Sequence, residues 1–163
     1  MRRLLLLAIV LFAIQVPAMA QLGISFGLAG SFASPTGDWS NGVGSGIGGA
    51  ALVKFGLLPI IDLTGSIDYI SFTEKDAAGV KSSASTWGVN VGGRFSVLPM
   101  IYAGLELGTY PLTVKVGGQS RDTETKSAFA PIVGARFSQL DGSVRYVFMK
   151  DANFLGLRVG IWF

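Results

Sequence analysis

The chain of 163 residues contains neither histidine nor cysteine. Thiol nucleophiles, disulfides, histidine acid–base catalysis and zinc sites built from Cys and His are therefore excluded. Charge is also scarce, because 14% of the residues are charged against about a quarter in ordinary soluble domains. Mean hydropathy is +0.52. This composition argues against a disordered chain and against an ordinary water-soluble globule.

Long apolar runs are absent beyond the N-terminus. Only the first twenty residues carry one, and it is short of the roughly 18 residues that a spanning helix needs. Arg2 and Arg3 precede the apolar stretch Leu4–Ile14, and Ala18-Met19-Ala20 has the small-x-small form of a cleavage site. We predict a secretory signal peptide cleaved before Gln21, rather than the alternative of a membrane anchor helix.

The predicted organisation is a signal peptide over residues 1–20 and one domain over residues 21–163. Removing the signal removes two of the arginines and leaves basic and acidic residues nearly balanced. Since the remaining chain has no basic cluster, we expect no nucleic-acid partner.

Apolar residues in the predicted domain recur at every second position, which is the spacing of a β-strand. The last strand, for example, alternates Leu155 and Leu157 with Gly156 and Arg158. One row of each strand is large and apolar, and the other consists of Gly, Ala, Ser, Thr and all the strand charges. The alternating segments are 22–28, 43–55, 61–69, 87–95, 101–107, 129–137, 144–148 and 155–163.

The predicted connections differ in length at the two ends of the strands. Tight turns are expected at 55–60, 96–100 and 138–142, longer polar loops at 33–42, 73–83 and 110–126, and a short one at 150–153. Short turns at one end and long loops at the other are typical of outer-membrane barrels, whose turns face the periplasm. The sequence therefore predicts an all-β fold, an eight-stranded antiparallel up-and-down transmembrane β-barrel.

The composition of the two rows indicates which one faces outward. A soluble ligand-binding barrel would turn the apolar row inward, but the small residues of the other row suit a narrow interior. Aromatic residues of the apolar row are expected to form two interfacial belts. The predicted belts are Phe55, Phe95, Phe137, Tyr146 and Phe163 at the turn end, and Tyr69, Trp87 and Phe129 at the loop end.

Several segments resemble the small eight-stranded outer-membrane β-barrel domain family of Gram-negative bacteria. They are the signal peptide, Pro35-Thr36-Gly37-Asp38-Trp39, Ala103-Gly104-Leu105-Glu106-Leu107-Gly108 and the alternating last strand ending at Phe163. The resemblance implies residence in the outer membrane, contact with its lipid and lipopolysaccharide, and a monomer. The terminal Phe163 resembles the signal read by the barrel-assembly machinery, although Arg158 stands where the fuller signal has Gly.

The inward row supplies a candidate lumen charge network. Its members are Asp68, Arg94, Glu106, Arg136, Arg145 and Arg158. Counted from the turns, Asp68, Glu106 and Arg158 are expected at mid-depth. Arg94, Arg136 and Arg145 are expected near the periplasmic end. We hypothesise that Glu106 or Asp68 pairs with Arg158 and plugs the lumen; the alternative is a set of separately hydrated side chains.

The expected function is non-enzymatic, structural or surface-interacting, with a narrow channel for small or apolar solutes as the alternative. Enzymes among such barrels, the lipid A deacylases and acyltransferases, depend on a histidine that this chain lacks. We predict no catalytic residue and no cofactor. We also predict no metal site, since no acidic cluster has the Asp-x-Asp spacing of a calcium loop. Loop residues that could meet a partner are Trp39, Glu74-Lys75-Asp76 and Arg121-Asp122-Thr123-Glu124.

Overall fold

The computed structural model describes residues 23–77, 80–116, 119–120 and 123–163. The predicted signal peptide, its cleavage site before Gln21, Leu22 and the loop residues Arg121 and Asp122 lie outside the described residues. No helix in the described part of the chain is long and apolar enough to cross a membrane.

Nine strands and one short helix make up the described structure. They are β1 (Ile24–Pro35), α1 (Trp39–Gly42), β2 (Gly46–Leu58), β3 (Ile61–Ala77), β4 (Val80–Ser96), β5 (Ile101–Val116), β6 (Gln119–Ser120), β7 (Glu124–Phe137), β8 (Leu140–Met149) and β9 (Phe154–Trp162).

Eight of these strands close into a barrel. Each pairs antiparallel with its neighbours in the chain, with β5 next to β7, and β1 closes the sheet by pairing with β9. Strand β6 is a two-residue addition at the tip of β5. The predicted eight-stranded antiparallel barrel is confirmed, and closure leaves the barrel no unpaired edge of the kind that lipid would not tolerate.

The two rows of each strand face opposite sides of the barrel, as predicted. In β9, Leu155, Leu157 and Val159 are exposed on the outer face, whereas Phe154 and Arg158 are buried inside. The outer face is apolar around the barrel because strand alternation sends every second side chain there. The apolar row is therefore the lipid-facing row of a transmembrane barrel.

The predicted long loops 73–83 and 110–126 are largely strand. Strands β3 and β4 continue their ladder through Lys75 opposite Ser82 and Asp76 opposite Lys81. β5 likewise runs to Val116. Polar composition alone suggested loops. The β3–β4 pairing nevertheless resumes after a shift in register between Phe72 and Lys75, and this pairing satisfies backbone N–H and C=O groups without apolar side chains. The result is a tall wall at the end of the barrel opposite the tight turns, which we call the loop end.

Two residues of the predicted outer row are placed differently. Val43 precedes β2 and is buried in the interior, because the chain enters the barrel after α1 instead of beginning the strand there. Tyr146 lies at the loop end rather than the turn end, since its hydroxyl is 2.8 Å from the Thr36 hydroxyl, just beyond β1. The turn after β7 also comprises only residues 138–139, so β8 resumes sooner than predicted.

Candidate functional site

All six predicted lumen residues point into the barrel, but they form two groups. Asp68, Glu106, Arg145 and Arg158 meet at mid-depth. Arg94 and Arg136 lie at the turn end with Asp141. The predicted depth of Arg145 is wrong, because its strand resumes earlier and its long side chain reaches the two central carboxylates.

The mid-depth group is a closed ring of alternating charges, the central ring. Arg158 lies 2.8 Å from Asp68 and 3.4 Å from Glu106. Arg145 lies 3.2 Å from Asp68 and 3.3 Å from Glu106. Each carboxylate therefore contacts both guanidinium groups, and two negative charges balance two positive ones. All four residues are between 0% and 3% exposed.

Polar neighbours add hydrogen bonds to the central ring, although the Nε of Arg158 finds no partner among the described residues. The Asn90 side-chain amide donates to Asp68 at 2.7 Å, and the Ser66 hydroxyl donates to the same oxygen at 3.2 Å. Arg145 also donates to the Tyr110 hydroxyl at 3.5 Å. Buried charges are tolerated only when their remaining donors and acceptors find partners, so these bonds offset part of the desolvation cost.

Small residues leave the space that the central ring occupies. Asp68 pairs across the sheet with Ala50 and Gly88, and Glu106 pairs with Gly92 and Ala130. Arg158 pairs with Ser31 and Ser143, and Arg145 has Gly156 on one side. Each long charged side chain can thus lie across the lumen because at least one of its neighbours on the inner face is short, although Arg145 has Ile132 on its other side.

Above the central ring, the loop end of the lumen is filled by an apolar cluster. Trp39 of α1 packs against Phe72 with ring centroids 4.6 Å apart and against Phe154 at 6.2 Å. Tyr110 lies 6.2 Å from Phe154 and joins this cluster to the central ring. The other buried members are Ala33, Val43, Ile70, Ala84, Leu112, Ala128, Ala130, Val147, Met149 and Ala152.

Below the central ring, a second polar group surrounds Asp141, a residue that sequence reasoning had assigned to a turn. Its carboxylate accepts a hydrogen bond from the Tyr102 hydroxyl at 2.7 Å and two from Arg136 at 3.2 Å. Arg94 lies 3.5 Å away. The signal that could have found Asp141 is its position directly across the hairpin from Arg136.

Solved structures share this architecture. The chain aligns with Neisserial surface protein A (NspA) at a TM-score of 0.58 and 15% identity, covering 86% of this chain and 96% of that one. The chain has the fold of the small eight-stranded outer-membrane β-barrels. No known family model and no curated protein matches the sequence.

Two further small outer-membrane barrels show the same fold. Ail, the attachment invasion locus protein of Yersinia pestis, aligns at a TM-score of 0.55 and 18% identity, covering 86% of this chain and 96% of that one. The N-terminal β-barrel domain of Pseudomonas aeruginosa OprF aligns at a TM-score of 0.54 and 13% identity, covering 85% of this chain and 97% of that one. At these identities the likeness describes the fold, so function rests on the lumen and the loop end of this chain.

The charges of the central ring are engaged with one another. Among the described residues no group of three or more potential ligands could hold a metal ion. The central carboxylates each bind two guanidinium groups, and the apolar cluster covers them from the loop end. The arrangement is suited to stabilising and closing the barrel.

Proposed function

We propose that this protein is a non-enzymatic integral barrel of the bacterial outer membrane, with its turns in the periplasm and a structural or surface-interaction role. The observation that carries the proposal is the central ring, since Asp68, Arg145 and Arg158 bridge the lumen at mid-depth and are at most 2% exposed. A lumen closed in this way leaves the outer face and the loop end for contact with other molecules.

The loop end supports a surface-interaction role. The β3–β4 hairpin extends the barrel wall through Lys75 and Ser82, beyond the point where β2 begins opposite Phe72. The connection after β1 folds onto this wall, where the Lys75 amine donates to the Ser40 carbonyl and the Gly44 N–H donates to the Thr73 carbonyl at 3.0 Å. Rigid scaffolds that present loops in this manner commonly carry recognition. Ail, which shares the fold, is named for attachment.

A complementation experiment tests the proposal. A strain that lacks the protein would be complemented with the full chain or with a variant in which residues 75–82 of the β3–β4 hairpin are replaced by an Asn-Gly turn. Sensitivity to detergent reports the structural role. Adherence to heparin-coated wells reports the surface role, because a crystal structure of Ail contains a heparin analogue. If the full chain and the shortened-hairpin variant both restore detergent resistance, the result supports a structural role.

The same experiment separates the two roles. Loss of adherence only in the trimmed hairpin variant supports surface interaction. If the protein fractionates with the inner membrane or the periplasm, the proposal fails. An inserted epitope tag at the tip of the hairpin must be accessible on intact cells, because that position is predicted to face the outside.

A narrow channel for apolar solutes is the second candidate. A cavity of about 260 Å³ at the loop end is lined by Trp39, Val43, Leu112 and Val114, with Lys126 at its rim. An apolar solute could enter there, but the central ring lies below it. We expect no stable unitary conductance in planar bilayers and no uptake of the apolar dye 1-N-phenylnaphthylamine. Either signal would favour the channel instead.

A further inference from the structure

The turn end of the lumen holds an unequal number of opposite charges, in contrast to the balanced central ring. Lys54, Arg94 and Arg136 supply three cations, and their ion pairs within the described residues go to only two carboxylates, Asp62 and Asp141. One positive charge therefore has no protein counter-charge. A cation enclosed by a barrel wall needs a partner, because the surrounding medium does not screen it well.

Unused hydrogen-bond donors lie in the same group. Within the described residues, Arg94 Nε and the Trp162 indole Nε1 donate to no protein acceptor, and Arg94 Nη1 faces Asp141 at 3.5 Å without forming a hydrogen bond. Both side chains are more than nine-tenths buried, at 4% and 5% exposure. Buried N–H groups rarely go without an acceptor, so these donors indicate a bound acceptor that is not part of the protein.

The three cations converge on one ring. The Lys54 amine lies 5.6 Å from the centre of the Trp162 ring, and the guanidinium carbons of Arg94 and Arg136 lie 5.7 Å and 5.3 Å from it. The three positive charges are therefore gathered in one small region around Trp162.

We propose that the turn end of the lumen binds one small monovalent anion of the halide class, held by Lys54, Arg94 and Arg136 beside the Trp162 indole N–H. The excess of one positive charge sets the charge of the ion, and the close approach of the three cations to one ring favours a small ion. The anion comes from the aqueous phase, since these side chains belong to the inward row and three of the group, Lys54, Asp62 and Arg136, are about one-fifth exposed at the turn end. The site does not depend on the proposed surface role.

Iodide tests the proposal directly, because it is a monovalent anion and quenches tryptophan fluorescence on contact. The chain has three tryptophans. Replacing Trp39 and Trp87 by Phe leaves Trp162 as the only reporter in the refolded barrel. We expect saturable quenching by iodide at constant ionic strength, reversed by added chloride. The neutral quencher acrylamide should act weakly on this buried ring.

Charge variants in the same background make the test specific. Lys54→Gln balances the turn-end charges and should weaken iodide binding by roughly tenfold, which corresponds to about 1.4 kcal/mol. Asp62→Asn increases the excess to two positive charges and should strengthen binding. Lys126→Gln is the matched control, since it removes one cation at the loop end, where Lys126 lies 3.2 Å from Glu124, and should leave binding unchanged.

Several results would overturn the anion site. They are quenching that rises linearly without saturation, quenching that chloride does not reverse, and equal effects of Lys54→Gln and Lys126→Gln. Linear quenching would mean that water, rather than an anion, accepts the hydrogen bonds of Arg94 and Trp162. Each variant is first shown to be folded by its mobility on gels before and after heating, so that loss of binding is not loss of structure.

Discussion

Asp68 has more hydrogen-bond partners than any other side chain of the central ring. It is fully buried and accepts hydrogen bonds from Arg145, Arg158, Asn90 and Ser66. Removing one charge from a buried ion-pair group leaves the opposite charges desolvated and unpaired, which costs more than the intact group contributes.

Asp68→Asn should therefore lower the free energy of unfolding by roughly 3–5 kcal/mol. Urea unfolding of the refolded barrel, followed by tryptophan fluorescence, measures the change. Glu74→Gln is the control, since Glu74 is an exposed carboxyl at the loop end of the same strand. Equal midpoints for the two variants would show that the central ring contributes little to stability.

Gly48 shows how closely the inner row is packed. A Cβ at this position would collide with the backbone carbonyl of Tyr69, which a rotamer change cannot relieve. At Gly142, by contrast, an added Cβ meets no atom within 4 Å.

Gly48→Ala should destabilise the barrel by roughly 1–3 kcal/mol through a forced shift of the β2–β3 backbone. Gly142→Ala should be neutral or slightly stabilising, because it removes backbone freedom from the unfolded chain without strain. The same urea series compares them. A smaller loss for Gly48→Ala than for Gly142→Ala would contradict the packing of this wall.

At the scale of elements, α1 closes the loop end although it is too short to be stable by itself. Its four residues hold the Trp39 ring against Phe72 and Phe154. Tertiary packing, rather than helix propensity, must therefore keep this segment in place.

Trp39→Ala should lower stability by about 2 kcal/mol, below the roughly 3–5 kcal/mol of a fully buried tryptophan, because Trp39 is half-buried. Asn41→Ala in the same helix is the control, since Asn41 is exposed. Limited proteolysis should also cut the Trp39→Ala variant faster near residues 36–45. Unchanged proteolysis and an unchanged urea midpoint would show that α1 is not anchored by this ring.

A β-strand could be predicted from the sequence wherever apolar side chains alternate with small or polar ones. The strand of Leu155, Leu157 and Val159 was predicted because one face meets lipid and the other the lumen. The ladder beyond Lys75 was not predicted, because above the membrane neither face is required to be apolar and composition no longer marks a strand.

At the scale of the whole molecule, the closed ladder pairs each of the eight barrel strands with two neighbours, so local opening has no edge from which to start. The folded barrel should resist SDS at room temperature and migrate on gels at a different position from the boiled chain. Gel electrophoresis of heated and unheated samples measures this difference. A closed barrel would be contradicted if heated and unheated samples had the same mobility and circular dichroism showed that SDS at room temperature had already removed the strand structure.

The sequence by itself determined the strand number, the outward row and the sign of each lumen charge, because alternation is local and is visible one residue at a time. Only the tertiary structure decided which charges meet. Arg145 joined Asp68 and Glu106, and Asp141 became the centre of the turn-end group. Barrel closure and strand stagger set which depths coincide across the lumen, and those quantities depend on all strands together rather than on any one of them.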